Sequence, residues 1–127
     1  MIPILKAVVF LLMINAGLTG NYHRHIQICT GVFALDREWQ LDLRTDGTFT
    51  YHIKTTNTKS IKRKTIVTYS GTWQSNNDTL TLLENKKEKE LYFRREKDRF
   101  IPLNEKPDTL NNFVIFLDYL ENAELKN

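Results

Sequence analysis

The sequence predicts a mainly-β protein, an antiparallel meander forming a small barrel or half-barrel and ending in a C-terminal helix. Three observations carry this. Apolar and polar residues alternate on either side of an Asp-Gly pair near the middle of the chain. The same beat of strand and turn then recurs at short, even spacing to about Leu103. After Pro107 the apolar period changes from two to that of a helix. The 127 residues suit one domain with one modest core, and an aromatic share of 11% favours packing over disorder.

The first segment, Met1 to Gly20, is unlike the rest. Lys6 is its only charged side chain, an apolar run follows from Ala7 to Ile14, and Ala16, Gly17, Thr19 and Gly20 come after it. A short positive end, a brief apolar run and small residues describe a secretory signal peptide. Cleavage is expected after Ala16 or after Gly20, leaving a single domain from about residue 21 to 127. The run is too short to span a bilayer, so no stable transmembrane segment is expected after cleavage. The expected destination is the periplasm or the cell exterior.

Ile26 to Leu35 reads as the first strand. Trp39, Leu41 and Leu43 then alternate with Gln40, Asp42 and Arg44, and Phe49, Tyr51 and Ile53 with Thr50, His52 and Lys54. Period-two alternation buries one face and wets the other. Asp46-Gly47 between the two runs marks a hairpin over about 38–55, since Gly47 takes a positive φ without steric cost. The basic stretch Lys59 to Lys64 reads as a loop. Thr65 to Trp73 is a strand carrying Val67, Tyr69, Gly71 and Trp73 on one side, and Gly71 suggests a bulge or bend. Turn residues at 75–78 lead to a strand at 79–83. Charged residues at 84–88 precede two short strands at 91–94 and 99–103, joined by Lys97-Asp98. This gives about seven strands. Asp108 would cap a helix over about 109–124, with Leu110, Phe113, Val114, Leu117 and Leu120 on one stripe. The β-formers from Phe113 to Phe116 leave a closing strand as the competing reading.

The formal net charge of +3 is spread among interspersed acidic residues, so no nucleic-acid partner is expected. The basic cluster Lys59, Lys62, Arg63 and Lys64 reads as a solubilising tip, with an anionic surface as the alternative. The single cysteine, Cys29, excludes an internal disulfide. No nucleophile elbow, phosphate loop or paired-carboxylate motif appears, and a Cys29–histidine pair would lack an orienting third group, so no catalytic residue and no cofactor is assigned.

Leu43 to Tyr51 (LRTDGTFTY), Tyr69 to Trp73 (YSGTW) and Asp78 to Leu82 (DTLTL) resemble the small lipocalin-like barrels of bacterial exported proteins. They are also similar to the N-terminal barrel of the NlpE copper-resistance lipoproteins. Gly31-Val32-Phe33 stands where lipocalin-like chains carry Gly-x-Trp. The chain departs from the NlpE pattern in having no Cys-x-x-Cys pair and no small residues before Cys29 that would make a lipobox. The resemblance covers about 30–103. It implies the barrel and suggests an apolar ligand or an envelope role, and it carries no functional residue across.

Three non-enzymatic readings follow. In the first, an exported barrel holds a small apolar ligand, with Trp39, Tyr51, Tyr69 and Trp73 as the candidate ligand-binding residues; each is equally at home in a packed core. In the second, the core is filled and the surface docks on an envelope protein partner. In the third, the N-terminus holds a metal through His23, His25 and Cys29, whose imidazole and thiolate groups suit zinc or copper. Cleavage after Gly20 would place His23 third in the mature chain, a position that can wrap Cu(II) or Ni(II) with backbone amides.

Overall fold

The computed structural model describes residues 18–30, 34–58, 63–86, 89–110 and 113–123. Of the signal-peptide reading over 1–20, residues 1–17 lie outside these, as do the Gly31-Val32-Phe33 reading and residues 59–62 of the basic loop expected over 59–64, whose Arg63 and Lys64 open β4 instead. Ten strands follow in order: β1 (Gly20–Cys29), β2 (Ala34–Leu43), β3 (Thr48–Asn57), β4 (Arg63–Asn76), β5 (Thr79–Glu84), β6 (Glu90–Glu96), β7 (Arg99–Pro102), β8 (Asp108–Leu110), β9 (Phe113–Ile115) and β10 (Leu120–Asn122). Eight of them close an antiparallel barrel in the order β1-β10-β7-β6-β5-β4-β3-β2, and β8 and β9 form a separate pair. Among the described residues no helix is long and apolar enough to cross a membrane.

The alternation seen in the sequence sets the register. Trp39 faces Ile53, Leu41 faces Tyr51 and Leu43 faces Phe49 across β2 and β3, and Tyr51 in turn faces Tyr69 on β4. Opposed residues share a face of the sheet. The odd positions of β2, β3 and β4 therefore point inward, where Trp39, Leu41, Leu43, Phe49, Tyr51 and Trp73 are all buried. Gly47 sits at φ 87° in the Asp-Gly turn, as expected. Gly71 serves a close approach: a Cβ there would lie 1.9 Å from the Leu83 carbonyl oxygen. The barrel curls tightly where β4 meets β3 and β5 together, opposite Phe49 and Glu84.

Two expectations are corrected. The single strand expected over 26–35 is the end of β1 and the start of β2. Parity explains this: Ile26 and Ile28 pack inward on even positions and Leu35 on an odd one, so the chain must turn between them. The helix expected over 109–124 gives way in the described residues to β8, β9 and β10. A helical stripe would bury Phe113 and Val114, yet both are exposed, while Ile115, Leu117 and Leu120 are buried. The β-formers that favoured a closing strand form β9, which pairs with β8 outside the barrel, and closure falls instead to β10, which pairs with the edges of both β1 and β7.

The two ends of the barrel differ. At one end the connections are tight: Arg44 to Gly47, Asn77-Asp78 and Lys97-Asp98. Trp73 donates its indole N–H to the Arg44 carbonyl at 3.0 Å, and Leu18 is 3% exposed beneath β1, its carbonyl accepting the Tyr22 hydroxyl at 2.9 Å. This end is closed. At the other end lies the long excursion from β7 through β8 and β9 to β10. Arg24 anchors its return with two hydrogen bonds to Asp118 at 2.9 and 3.0 Å, and Arg24 and Arg99 each lie 4.5 Å from the Tyr119 ring. The Asp118 carboxyl is held below its ordinary range: partial burial opposes ionisation, but the Arg24 hydrogen bonds, the Tyr119 amide and the Arg24 charge outweigh it.

Candidate functional site

Following the inward positions of β4 from the closed end to the open end, Trp73 and Gly71 are buried, Tyr69 is half-buried and Val67 is 45% exposed. An inward-facing valine left this open means that the barrel is filled only part of the way. Trp39, Phe49, Tyr51, Phe93 and Phe100 pack the closed half, with Tyr51 edge-on to Phe93 and Phe93 edge-on to Phe100, each pair at 6.4 Å. Such edge-to-face contacts stabilise beyond the area they bury.

Above this floor lies a cup of about 570 Å³, walled by Arg37, Ile53, Thr55, Val67, Tyr69 and Leu110, with Asn57, Thr65 and Asp108 at its rim. That volume falls within the roughly 300–1,000 Å³ of small-molecule sites. β8 closes one side. Arg37 holds it there, donating to the Thr55 hydroxyl at 2.9 Å on the wall and to Asp108 at 3.0 Å on β8. Leu110 packs against the core beside it.

Three further polar groups stand outside the cup's lining. The Tyr51 hydroxyl and the Glu105 Oε2 are both buried, and neither has a hydrogen-bond partner. Burial pushes the Tyr51 phenol well up, with the Glu105 and Tyr69 charges adding to it. Glu105 lies on the segment between β7 and β8. Burial raises its pKa to about 7, against the lowering charges of Lys89 and Arg37. Lys89 lies 4.9 Å from the centre of the Tyr69 ring and 3.4 Å from its hydroxyl. A buried polar atom without a partner costs about 1–3 kcal/mol, so two together mark a place where something polar belongs.

Of the four expected ligand residues, Tyr69 lines the cup and Tyr51 lies one inward position below Ile53, with the two tyrosine rings 6.4 Å apart. Trp39 is buried opposite Ile53, with the Arg37 guanidinium 5.9 Å from its ring. Trp73 sits at the closed end, away from the cup. Sequence reasoning missed Arg37, Lys89 and Glu105. Arg37 carried a signal, since it shares the inward parity of Trp39; Glu105 carried none.

The expected metal residues are not gathered. His23, His25 and Cys29 all occupy the odd, outer face of β1. At about 3.3 Å per residue, His25 and Cys29 lie about 13 Å apart along the strand, too far to share an ion. The His25 Nε2 is 2.8 Å from Asp36 Oδ1, and the buried His23 Nε2 has no hydrogen-bond partner. Tyr22 and His23 are paired on both sides, with β2 and with β10. Among the described residues no group of three or more His, Cys, Asp or Glu is placed to hold a metal.

Residues 34–112 fit the family model described as the NlpE N-terminal domain. No curated protein and no solved structure matches.

Proposed function

This chain belongs to the NlpE N-terminal domain family, and on that premise we propose that it is an exported, non-enzymatic envelope barrel holding a small apolar ligand in its open half. The family and the signal-like composition of Met1 to Gly20 support export. The observation that carries the ligand reading is Val67: an inward position, 45% exposed, beside a cup with aliphatic walls. A barrel whose purpose was only to present its surface would gain stability by filling that space, at about 25 cal/mol for each Å² of apolar surface removed from water.

The test is native mass spectrometry of the secreted, unlabelled protein, followed by thermal melts against a panel of single-chain amphiphiles. Extra mass that leaves on denaturation, or a panel member that raises the melting temperature, supports the reading. A ligand at a hundred times its Kd should add about 2.7 kcal/mol. A bare chain that no panel member stabilises would refute it and turn attention to the barrel's outer surface.

A further inference from the structure

We infer that the cup takes a single-chain amphiphile with an anionic head, its tail against Ile53, Val67 and Leu110 and its head on Arg37 in the place now held by Asp108. This rests on the ligand reading above and names the ligand's chemistry.

The strand register lays the cup's wall out in rows. Arg37 pairs with Thr55 and Thr55 with Thr65, which sets a polar row across β2, β3 and β4. One inward position deeper, Trp39 pairs with Ile53 and Ile53 with Val67, an apolar row. Opposed residues share a face of the sheet. At about 3.3 Å per residue the two rows lie about 7 Å apart along the strands. Leu110 adds an apolar side chain to the same cup from β8. A chain whose tail lies on the deeper row therefore carries its head to the polar one.

Arg37 brings a charge with spare donors to that row. Its side chain is 12% exposed. Its Nε donates to Thr55 and its Nη2 to Asp108, and its Nη1 group has no partner among the described residues. A guanidinium so far from water calls for acceptors on its remaining N–H groups. A carboxylate or phosphate head can accept from Nη1 and Nη2 together, a geometry stronger than the single contact to Asp108. Asp108 is a cheap occupant to displace, because its side chain is 55% exposed and returns readily to water. One anion then replaces another on Arg37, and the charge around the guanidinium is unchanged. A cationic head would be repelled by Arg37, and a neutral one would not displace Asp108. Lys89 takes no part: it is exposed and lines a different pocket with Glu84 and Glu90.

The experiment is calorimetric titration of the delipidated, secreted full chain with dodecanoate, monododecyl phosphate, methyl dodecanoate and dodecyltrimethylammonium, each kept below its micelle concentration. The better of the two anions should bind about tenfold more tightly than the ester or the cation, as a charge-assisted, bidentate contact requires. Which anion leads assigns the head as carboxylate or phosphate. Asp108→Asn should bind both anions about two- to fivefold more tightly and the ester unchanged, because the internal competitor is gone. Asp108→Glu should restore the wild-type values. Arg37→Gln should bring the anions down to the ester; the wild-type comparison of anion with ester needs no variant and stands even where Arg37→Gln fails to fold. Equal binding of anions and ester would overturn the head assignment and leave the ligand reading standing. An anion preference that Asp108→Asn does not strengthen would overturn the exchange with Asp108. Failure of all four probes to bind would overturn both the head assignment and the ligand reading.

Discussion

Tyr51→Phe should make the ligand-free protein more stable. Tyr51 is 1% exposed and its buried hydroxyl has no hydrogen-bond partner, so the folded state bears its desolvation without recompense. That penalty is about 1–3 kcal/mol. Deleting the oxygen removes it and gives up only the dispersion contacts of one atom, a few tenths of a kcal/mol. The ring contacts with Tyr69 and Phe93 remain. The net expectation is a gain of about 1 kcal/mol, which in a domain of this size raises the melting temperature by about 4–8 °C. Urea unfolding of delipidated protein is the assay, and the m-value should be unchanged. A loss of stability above 1 kcal/mol would refute the reasoning, because the hydroxyl would then have a partner in the folded state.

Glu105 should give stability an unusual pH profile. Its folded pKa, about 7, lies above the ordinary glutamate value of 4.5, so between these values the folded chain holds a proton that the unfolded chain has released. This contribution is therefore full below pH 4.5, declines up to pH 7 and is flat above. The span of 2.5 units corresponds to at most about 3 kcal/mol. Denaturant titrations at half-unit steps should show the decline, and Glu105→Gln should flatten it. Gly71→Ala should abolish folding or cost more than about 3 kcal/mol by circular dichroism, because the new Cβ would meet a backbone carbonyl that cannot move without parting β4 from β5. Signal cleavage should follow Ala16, giving an intact mass that begins at Gly17, because cleavage after Gly20 would discard Leu18 from the core. Leu18→Ala should cost about 2–4 kcal/mol on the same logic.

The barrel's middle was legible because its inward face is written in every second residue. From Trp39 to Trp73 the alternation names the core, and Asp46-Gly47 names the turn. The edges were harder to read. Asn21 to His25 is polar enough to pass for a frayed terminus, yet β2 pairs along all of it and β10 pairs with Tyr22 and His23. β10 is three residues long, and no period can be read from three residues. The candidate site was half legible. Tyr51 and Tyr69 stand out as aromatics on an inward face. Glu105 lies in a polar stretch between Pro102 and Pro107 that resembles any solvated loop, and only the return of the chain over the barrel mouth buries it.

The same excursion is held unequally along its length. Near β10 it is fixed by the paired hydrogen bonds of Arg24 to Asp118, by Tyr119 between two guanidinium groups, and by the burial of Ile115 and Leu117. Burying those two aliphatic side chains alone contributes about 3–6 kcal/mol. Near β8 the polar tie is the Arg37–Asp108 pair, whose aspartate side chain is 55% exposed. An ion pair so open to water is worth about 0–1 kcal/mol and weakens with salt. Among the described residues β8 and β9 pair with each other and no ladder binds them to the barrel. Any access to the cup past this element is therefore cheapest on the Asp108 side, with the Asp118 anchor kept. Asp108→Asn should accordingly change stability by less than about 1 kcal/mol while speeding entry and exit of a bound amphiphile in stopped-flow measurements. Arg24→Ala should cost more stability than Asp108→Asn; the reverse ranking would place the weak tie at the other end.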